Sequence, residues 1–223
     1  MKKHLTLFLL LLCALTATAQ EYRSFQTPDG NHIKQLCNSN PESIRSLVRK
    51  VATPNLATPP TTQECVLAYF GSSYINHERE QEFLQKMLTA IQKGEQERSL
   101  MLADEVLSVN PLNLTALIHK GRHIPEAASD VPARDISKNS LEGMRIIGNR
   151  ILDAIATTGD GTEAHPFFVA SNDDANYFMK YRLHEKGAKS TKVTVLHLNS
   201  IQTAVGNCHN RSTTSLEVQE IEP

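Results

Sequence analysis

The chain has 223 residues, 23 lysines and arginines against 24 aspartates and glutamates, and a formal net charge of −1. So balanced a charge excludes the basic footprint of a nucleic-acid-binding domain, and no run of like charge singles out a polyelectrolyte partner. The length suits one compact domain or two small ones.

Residues 1–19 read as a cleaved secretory signal. Lys2 and Lys3 supply the positive end, residues 5–15 a short leucine-rich core, and Ala17-Thr18-Ala19 a small-x-small cleavage site. The apolar run is too short to cross a membrane and no second run follows it. Cys13 is preceded by leucines rather than small residues, so it is not read as a lipid anchor. The expectation is a secreted or periplasmic chain beginning at Gln20, with 21 of the 23 basic residues left against 24 acidic ones. Three cysteines remain, Cys37, Cys65 and Cys208. An oxidising compartment allows one pair among them, and the pairing stays open beside the alternative that all three are small buried hydrophobes.

Residues 20–62 form an N-terminal extension with one short helix. The stretch 20–40 is polar, with a turn at Pro28-Asp29-Gly30, and is expected to be loosely ordered. Asn40-Pro41 opens the helix, the asparagine as cap and the proline in the first position, with Ile44, Leu47, Val48 and Val51 as its buried face. Residues 53–62, with Pro54, Pro59 and Pro60, form a strap.

Residues 63–157 read as a helical region. The apolar stretch 64–74 suits a buried helix or strand, and the helix that follows it favours helix. Phe83, Leu84, Met87, Leu88 and Ile91 make one apolar stripe, ending at Lys93-Gly94. Leu100, Ala103, Val106 and Leu107 make a second, and Leu114, Leu117 and Ile118 a third. Pro111 separates the last two, because proline lacks the N–H a helix interior needs yet suits a first turn. A further helix is expected over 138–157 on Leu141, Met144, Ile147, Ile151 and Ile155, ended by the glycines of Gly159-Asp160-Gly161.

From 158 to 223 the period drops to two. Tyr177, Met179, Tyr181 and Leu183 alternate with Phe178, Lys180, Arg182 and His184, the signature of a half-buried strand. Strands are also expected over 167–170, 193–198 and 216–221, with a turn at 185–190. The fold class is thus α+β: helical hairpins followed by a small antiparallel sheet, in one compact domain over 40–223.

The helical pattern resembles a tetratricopeptide repeat, a helix–turn–helix unit of about 34 residues that stacks into solenoids. Phe83, Gly94, Ser99, Ala103 and Pro111 carry the resemblance, and Leu117-Ile118-His119-Lys120-Gly121 looks like the start of a further unit. Val106 and Met87 depart from the small residues which that family prefers. About one and a half units are visible, fewer than a free-standing array needs. The ordered combination of Tyr69-Phe70-Gly71, Gly94 through Pro111 with Leu112-Asn113-Leu114, Thr158-Gly159-Asp160-Gly161 and His165-Pro166-Phe167-Phe168-Val169 resembles an uncharacterised family of secreted proteins of Bacteroides-type bacteria, catalogued as a domain of unknown function. That resemblance implies compartment and fold, and no activity.

No catalytic, cofactor or metal residue is assigned. Asp160, Glu163 and His165, with Asp173 and Asp174 nearby, could hold a metal or move a proton, but Gly159-Asp160-Gly161 and Asn172-Asp173-Asp174 also suit a turn and a hairpin loop. His119 and His123 stand four apart without a visible third ligand, and no GxSxG elbow supports a serine nucleophile. Asn113-Leu114-Thr115 and Asn210-Arg211-Ser212 fit the glycan acceptor pattern, without consequence in a bacterial product. The expected function is a non-enzymatic binding or scaffold module acting on a protein or peptide of the cell envelope through its helical face. The alternatives are a small envelope hydrolase or metal protein using residues 160–165, and a structural protein joined to another chain by its cysteines.

Overall fold

The computed structural model describes residues 25–123, 140–183, 191–196, 198 and 213–217. The expected signal at 1–19, Cys208, the turn at 185–190, the acceptor triplet at 210–212 and the end of the last strand lie outside them.

Among the described residues, eight α-helices precede or flank a three-stranded sheet. Helix α1 spans Gly30–Ser39, α2 Pro41–Val51, α3 Thr62–Ile75 and α4 His77–Gln92. Helix α5 spans Gln96–Val109, α6 Leu114–His123 and α7 Leu141–Ala156. Strand β1 (Phe167–Val169), helix α8 (Asn172–Phe178) with a π-helical turn over Met179–Leu183, β2 (Lys192–Leu196) and β3 (Thr213–Glu217) follow among the described residues. The fold is α+β.

Within the segment 20–40, expected to be loose, residues Gly30–Ser39 instead form α1. Asp29 caps it, its Oδ1 accepting from the N–H groups of Asn31 and His32, and Ile33 and Cys37, one turn apart, are buried against the body of the domain. The short helix α2 is capped by Asn40 as expected, its side chain accepting from Ser43 N–H at 3.2 Å. Ile44, Val48 and Val51 form its buried face. The strap that follows is pinned by Arg150, which donates to the carbonyls of Val51, Thr53 and Asn55.

Helix α3 is the centre of the main core. Cys65, Val66, Ala68, Tyr69, Phe70, Gly71 and Ser72 are all buried, so it is apolar on every side, as a helix enclosed by others must be. Its start is a reciprocal capping box. Thr61 Oγ1 accepts from Glu64 N–H, and Glu64 Oε2 accepts from Thr61 N–H. Helices α1 and α2 cover one side and α7 another, with Ile44 of α2 lying over Gly71.

Helices α4 and α5 form a hairpin with its own smaller core of Leu84, Met87, Ala103 and Val106, closed by Ala116 of α6. Gly94 makes the reversal. At φ +71° it holds the left-handed position, while its own N–H donates to Ile91 O and the Glu95 N–H to Ala90 O, the paired bonds of a Schellman ending. Helix α7 ends differently from expectation. Its last carbonyls accept from the Thr157 and Thr158 hydroxyls, Thr157 Oγ1 to Ala154 O and Thr158 Oγ1 to Ile155 O. No left-handed glycine caps it, and Gly161, at φ +82°, belongs to the next loop.

The sheet is mixed rather than antiparallel. β1 pairs with β2 in parallel, Phe167 opposite Val193, and β2 pairs with β3 antiparallel, Val193 opposite Leu216. A parallel pair needs a crossover, and residues 172–183 supply it as helix. The strand expected over Tyr177–Leu183 is therefore a correction. Ser171 caps α8, its Oγ accepting from Asp174 N–H at 3.1 Å, and Ala175 and Phe178, three apart, are buried. Tyr177 and Tyr181 stack with centroids 6.1 Å apart and planes at 12°, which the spacing of one helical turn allows. The hairpin loop expected at 172–174 is the first turn of this helix.

Candidate functional site

The acidic cluster expected around residues 160–165 does not converge on a site. Asp160, Glu163 and His165 are exposed. Asp160 Oδ1 accepts from Thr162 N–H at 2.9 Å and Thr162 Oγ1 at 2.7 Å, and these bonds hold its carboxyl below the ordinary range. Glu163 pairs with Lys192 at 2.8 Å, which lowers its carboxyl likewise. His165 lies against the Phe25 ring, centroids 5.0 Å apart. The loop is closed by its backbone, Asp160 and Gly161 both donating to His165 O. Among the described residues no three histidine, cysteine or carboxylate groups are placed to hold a metal ion.

Asp174 lies elsewhere, at the hub of a buried polar network that sequence reasoning missed. It is 4 % exposed. Tyr69 of α3 donates to Asp174 Oδ2 at 2.6 Å, and Thr115 of α6 donates to Oδ1 at 3.2 Å. The Tyr69 hydroxyl also accepts from Ala170 N–H at 2.9 Å. Burial pushes the Asp174 carboxyl up to about 6, against the lowering pull of the Tyr69, Thr115 and Ser171 bonds. It also raises the Tyr69 phenol well above its ordinary value, with the Asp174 charge adding to the effect.

A second buried carboxylate, Glu80 of α4, is 3 % exposed. Its Oε1 accepts from Asn110 Nδ2 at 2.8 Å and Asn113 Nδ2 at 2.6 Å. Burial raises this carboxyl to about 7, the two amide bonds pulling against the shift and Asp174 adding to it. The signal for both residues was present as an acid within an otherwise apolar helical register. Its meaning was not, because acids on amphipathic helices normally face water.

His119 and His123 do share a face of α6, their rings 5.0 Å apart. His119 is buried and its Nε2 lies 3.0 Å from Ser99 Oγ. The Ser99 hydroxyl has one proton and donates it to Gln96 O at 2.7 Å. It therefore accepts from His119, so the serine proton is not directed at the ring as a nucleophile–base pair requires. Burial lowers the His119 value, helped by His123 and Arg122. Cys37 and Cys65 are buried free thiols, raised by burial. The pair Cys37–Cys65 is thereby removed from the possible disulfides. At Cys65 burial outweighs the lowering pull of Arg150 and Lys50, whereas reactive thiols are lowered, not raised.

One open cleft of about 960 Å³ lies where α1, α3, α4 and the end of α5 meet. Pro41, Tyr74, Ile75 and Val109 supply apolar lining, Asn38, Asn76 and Ser108 polar groups, and His77, Glu78 and Arg79 both signs of charge. Its volume falls at the upper end of the range typical of ligand sites. Comparison with protein-family models, with curated proteins and with solved structures gives no match to this chain. The tetratricopeptide and Bacteroides-type resemblances therefore stand on the sequence motifs alone.

Proposed function

We propose that this chain is a non-enzymatic binding module of the bacterial envelope, and that it takes an extended peptide segment of a partner protein in the cleft between α1–α3 and the α4/α5 hairpin. The cleft is the observation that carries the reading. Its alternation of Tyr74, Ile75 and Val109 with Asn38, Asn76 and Ser108 suits a polypeptide, which presents apolar side chains together with backbone donors and acceptors. Charges of both signs on its lining fit neither a polyphosphate nor a strongly cationic ligand. The tetratricopeptide-like residues Phe83, Gly94, Ser99, Ala103 and Pro111 support the same reading, because stacked helical hairpins offer grooves of this kind. The leader-like residues 1–19 support an envelope location; amino-terminal sequencing of the exported protein is expected to begin at Gln20. Among the described residues no helix is long and apolar enough to cross a membrane. No observation favours the alternative of an enzyme or metal protein at residues 160–165.

The test is panning of a random peptide library on the purified chain and on Ser108→Arg, an exposed cleft position where a long side chain obstructs the groove without touching the core. Enriched peptides are expected to bind the native chain and to lose at least about tenfold in affinity on the variant, the equivalent of roughly 1.4 kcal/mol. Peptides that bind both equally, or no enrichment at all, would overturn the reading.

A further inference from the structure

Among the described residues, two buried side-chain polar atoms have no hydrogen-bond partner, the Tyr181 hydroxyl and Arg182 Nε. They are consecutive in the chain, and both belong to the π-helical turn Met179–Leu183 that continues α8. Each carries a proton to donate. A buried donor without an acceptor costs free energy, so two of them side by side call for an explanation. Single π-turns attached to α-helices are frequent where a fold holds a ligand.

Arg122, in the last turn of α6, lies against the same turn. Its guanidinium carbon is over the Tyr181 ring, 4.8 Å from the centroid, and 6.0 Å from the centroid of Tyr177, which stacks on Tyr181. A guanidinium on an aromatic face is held flat by the ring quadrupole and keeps its N–H edge for another partner. Arg122 is exposed, and among the described residues no carboxylate pairs with it. The nearby acids do not fill that place. Asp153 is held by Arg182 at 2.6 Å, and of the charges acting on the Tyr177 phenol Arg122 is stronger than Asp173 or Asp174.

We propose that the Arg122 guanidinium, the Tyr181 hydroxyl and Arg182 Nε form a binding site for an oxyanion, a phosphate or carboxylate group, between the end of α6 and the π-helical turn. The guanidinium edge takes two oxygens through parallel N–H bonds. The anion is also the acceptor that the two buried donors lack. With the guanidinium over the ring face and hydrogen bonds of about 2.8 Å, one oxyanion is wide enough to reach the Arg122 edge and the Tyr181 hydroxyl together. None of the three residues lines the cleft, so the site stands or falls apart from the peptide reading.

The test is titration of inorganic phosphate and of acetate, in separate arms, into the purified chain, with chloride holding the ionic strength constant. The Arg182 Nε–H resonance and the Tyr181 ring resonances are followed by NMR. Both are expected to shift and to saturate at concentrations of about 1 mM or below, and the anion that binds more tightly identifies the group recognised. Arg122→Gln, at an exposed position, and Tyr181→Phe, which keeps the ring beneath Arg122, are each expected to weaken binding at least about tenfold. No saturable shift with either anion up to about 50 mM, or binding that both variants retain in full, would overturn the site. Should Tyr181→Phe not fold, Arg122→Gln decides.

Discussion

The Tyr69 hydroxyl donates to Asp174 Oδ2 at 2.6 Å and joins the centre of α3 to the first turn of α8 across 105 residues of chain. Both side chains are buried, and the same hydroxyl accepts from Ala170 N–H. One phenol thus ties the helical body to the segment that leaves β1. Tyr69→Phe removes the hydroxyl while keeping the ring, leaving Asp174 Oδ2 and the Ala170 N–H without the partner they have in the parent, while Thr115 still donates to Oδ1. The expected loss is about 1–3 kcal/mol per unsatisfied group, measured by urea unfolding at fixed pH. A variant as stable as the parent would mean that water replaces the hydroxyl.

Global stability is expected to fall from about pH 5 to pH 8, the reverse of ordinary acid denaturation. Both buried carboxyls bind protons more tightly in the folded chain, Glu80 at about 7 against 4.5 and Asp174 at about 6 against 3.8. Their contribution is therefore complete at low pH and disappears as the pH passes through the raised values. The slope is at most about 1.4 kcal/mol per pH unit for each group. Denaturant midpoints for the parent and for Glu80→Gln with Asp174→Asn check this; the double variant should lose the fall and keep the opposite, smaller slope of His119, whose lowered value adds stability as the pH rises toward 6.5.

Gly159→Ala is expected to cost more than Gly94→Ala. A Cβ on Gly159 would lie 2.2 Å from Pro166 O and 2.4 Å from His165 O, and neither backbone atom can swing away. Overpacking of this kind costs about 1–3 kcal/mol and would push β1 out of its register with β2. At Gly94 the space is open and only the positive φ is strained, a penalty of about 1–2 kcal/mol. Thermal unfolding of the two variants ranks them, and the reverse order would contradict the close approach of Gly159 to the His165–Pro166 backbone.

The Cys37 and Cys65 thiols are expected to react slowly with an aromatic disulfide reagent in the folded chain and fully in denaturant. They are 4 % exposed each and raised by burial, so both access and thiolate fraction are low. A background with Cys13→Ser and Cys208→Ser isolates them. Rapid reaction of either before unfolding would show that α1 or α3 opens on its own.

Much of the helical half was legible because its signals are local. The Asn40-Pro41 start, the Gly94 reversal and the Pro111 break each follow from what one residue's backbone can do, and all stand where the sequence places them, except that Pro111 does not occupy the first turn of α6, which begins at Leu114 with Asn113 Oδ1 accepting from Ala116 N–H. The apolar stripes named the buried faces of α2 and α4, since a period near four leaves one side of a helix to cover. Stretch 177–183 was misread for the opposite reason. Its alternation fits a strand, but parallel pairing of β1 with β2 demands a crossover there, and the Ser171 cap with Ala175 and Phe178 at helical spacing meets that demand.

The candidate site was the least legible part. Asp160, Glu163 and His165 are adjacent in sequence, yet each is engaged by a local partner at the surface. Glu80 and Asp174 are 94 positions apart, and the one local mark of each, an acid in an apolar helical register, does not say what it meets across the chain. The sequence by itself determined the helix boundaries set by caps and breakers, the faces set by apolar period, and the near-neutral charge, because each depends on residues within one or two turns. Only the tertiary structure decided that α3 is enclosed on all sides, that the sheet is mixed, and that two carboxylates share the interior with Tyr69, Asn110 and Asn113. Those outcomes depend on which surfaces meet across the whole chain, and desolvation acts on a side chain only once its distant neighbours are in place.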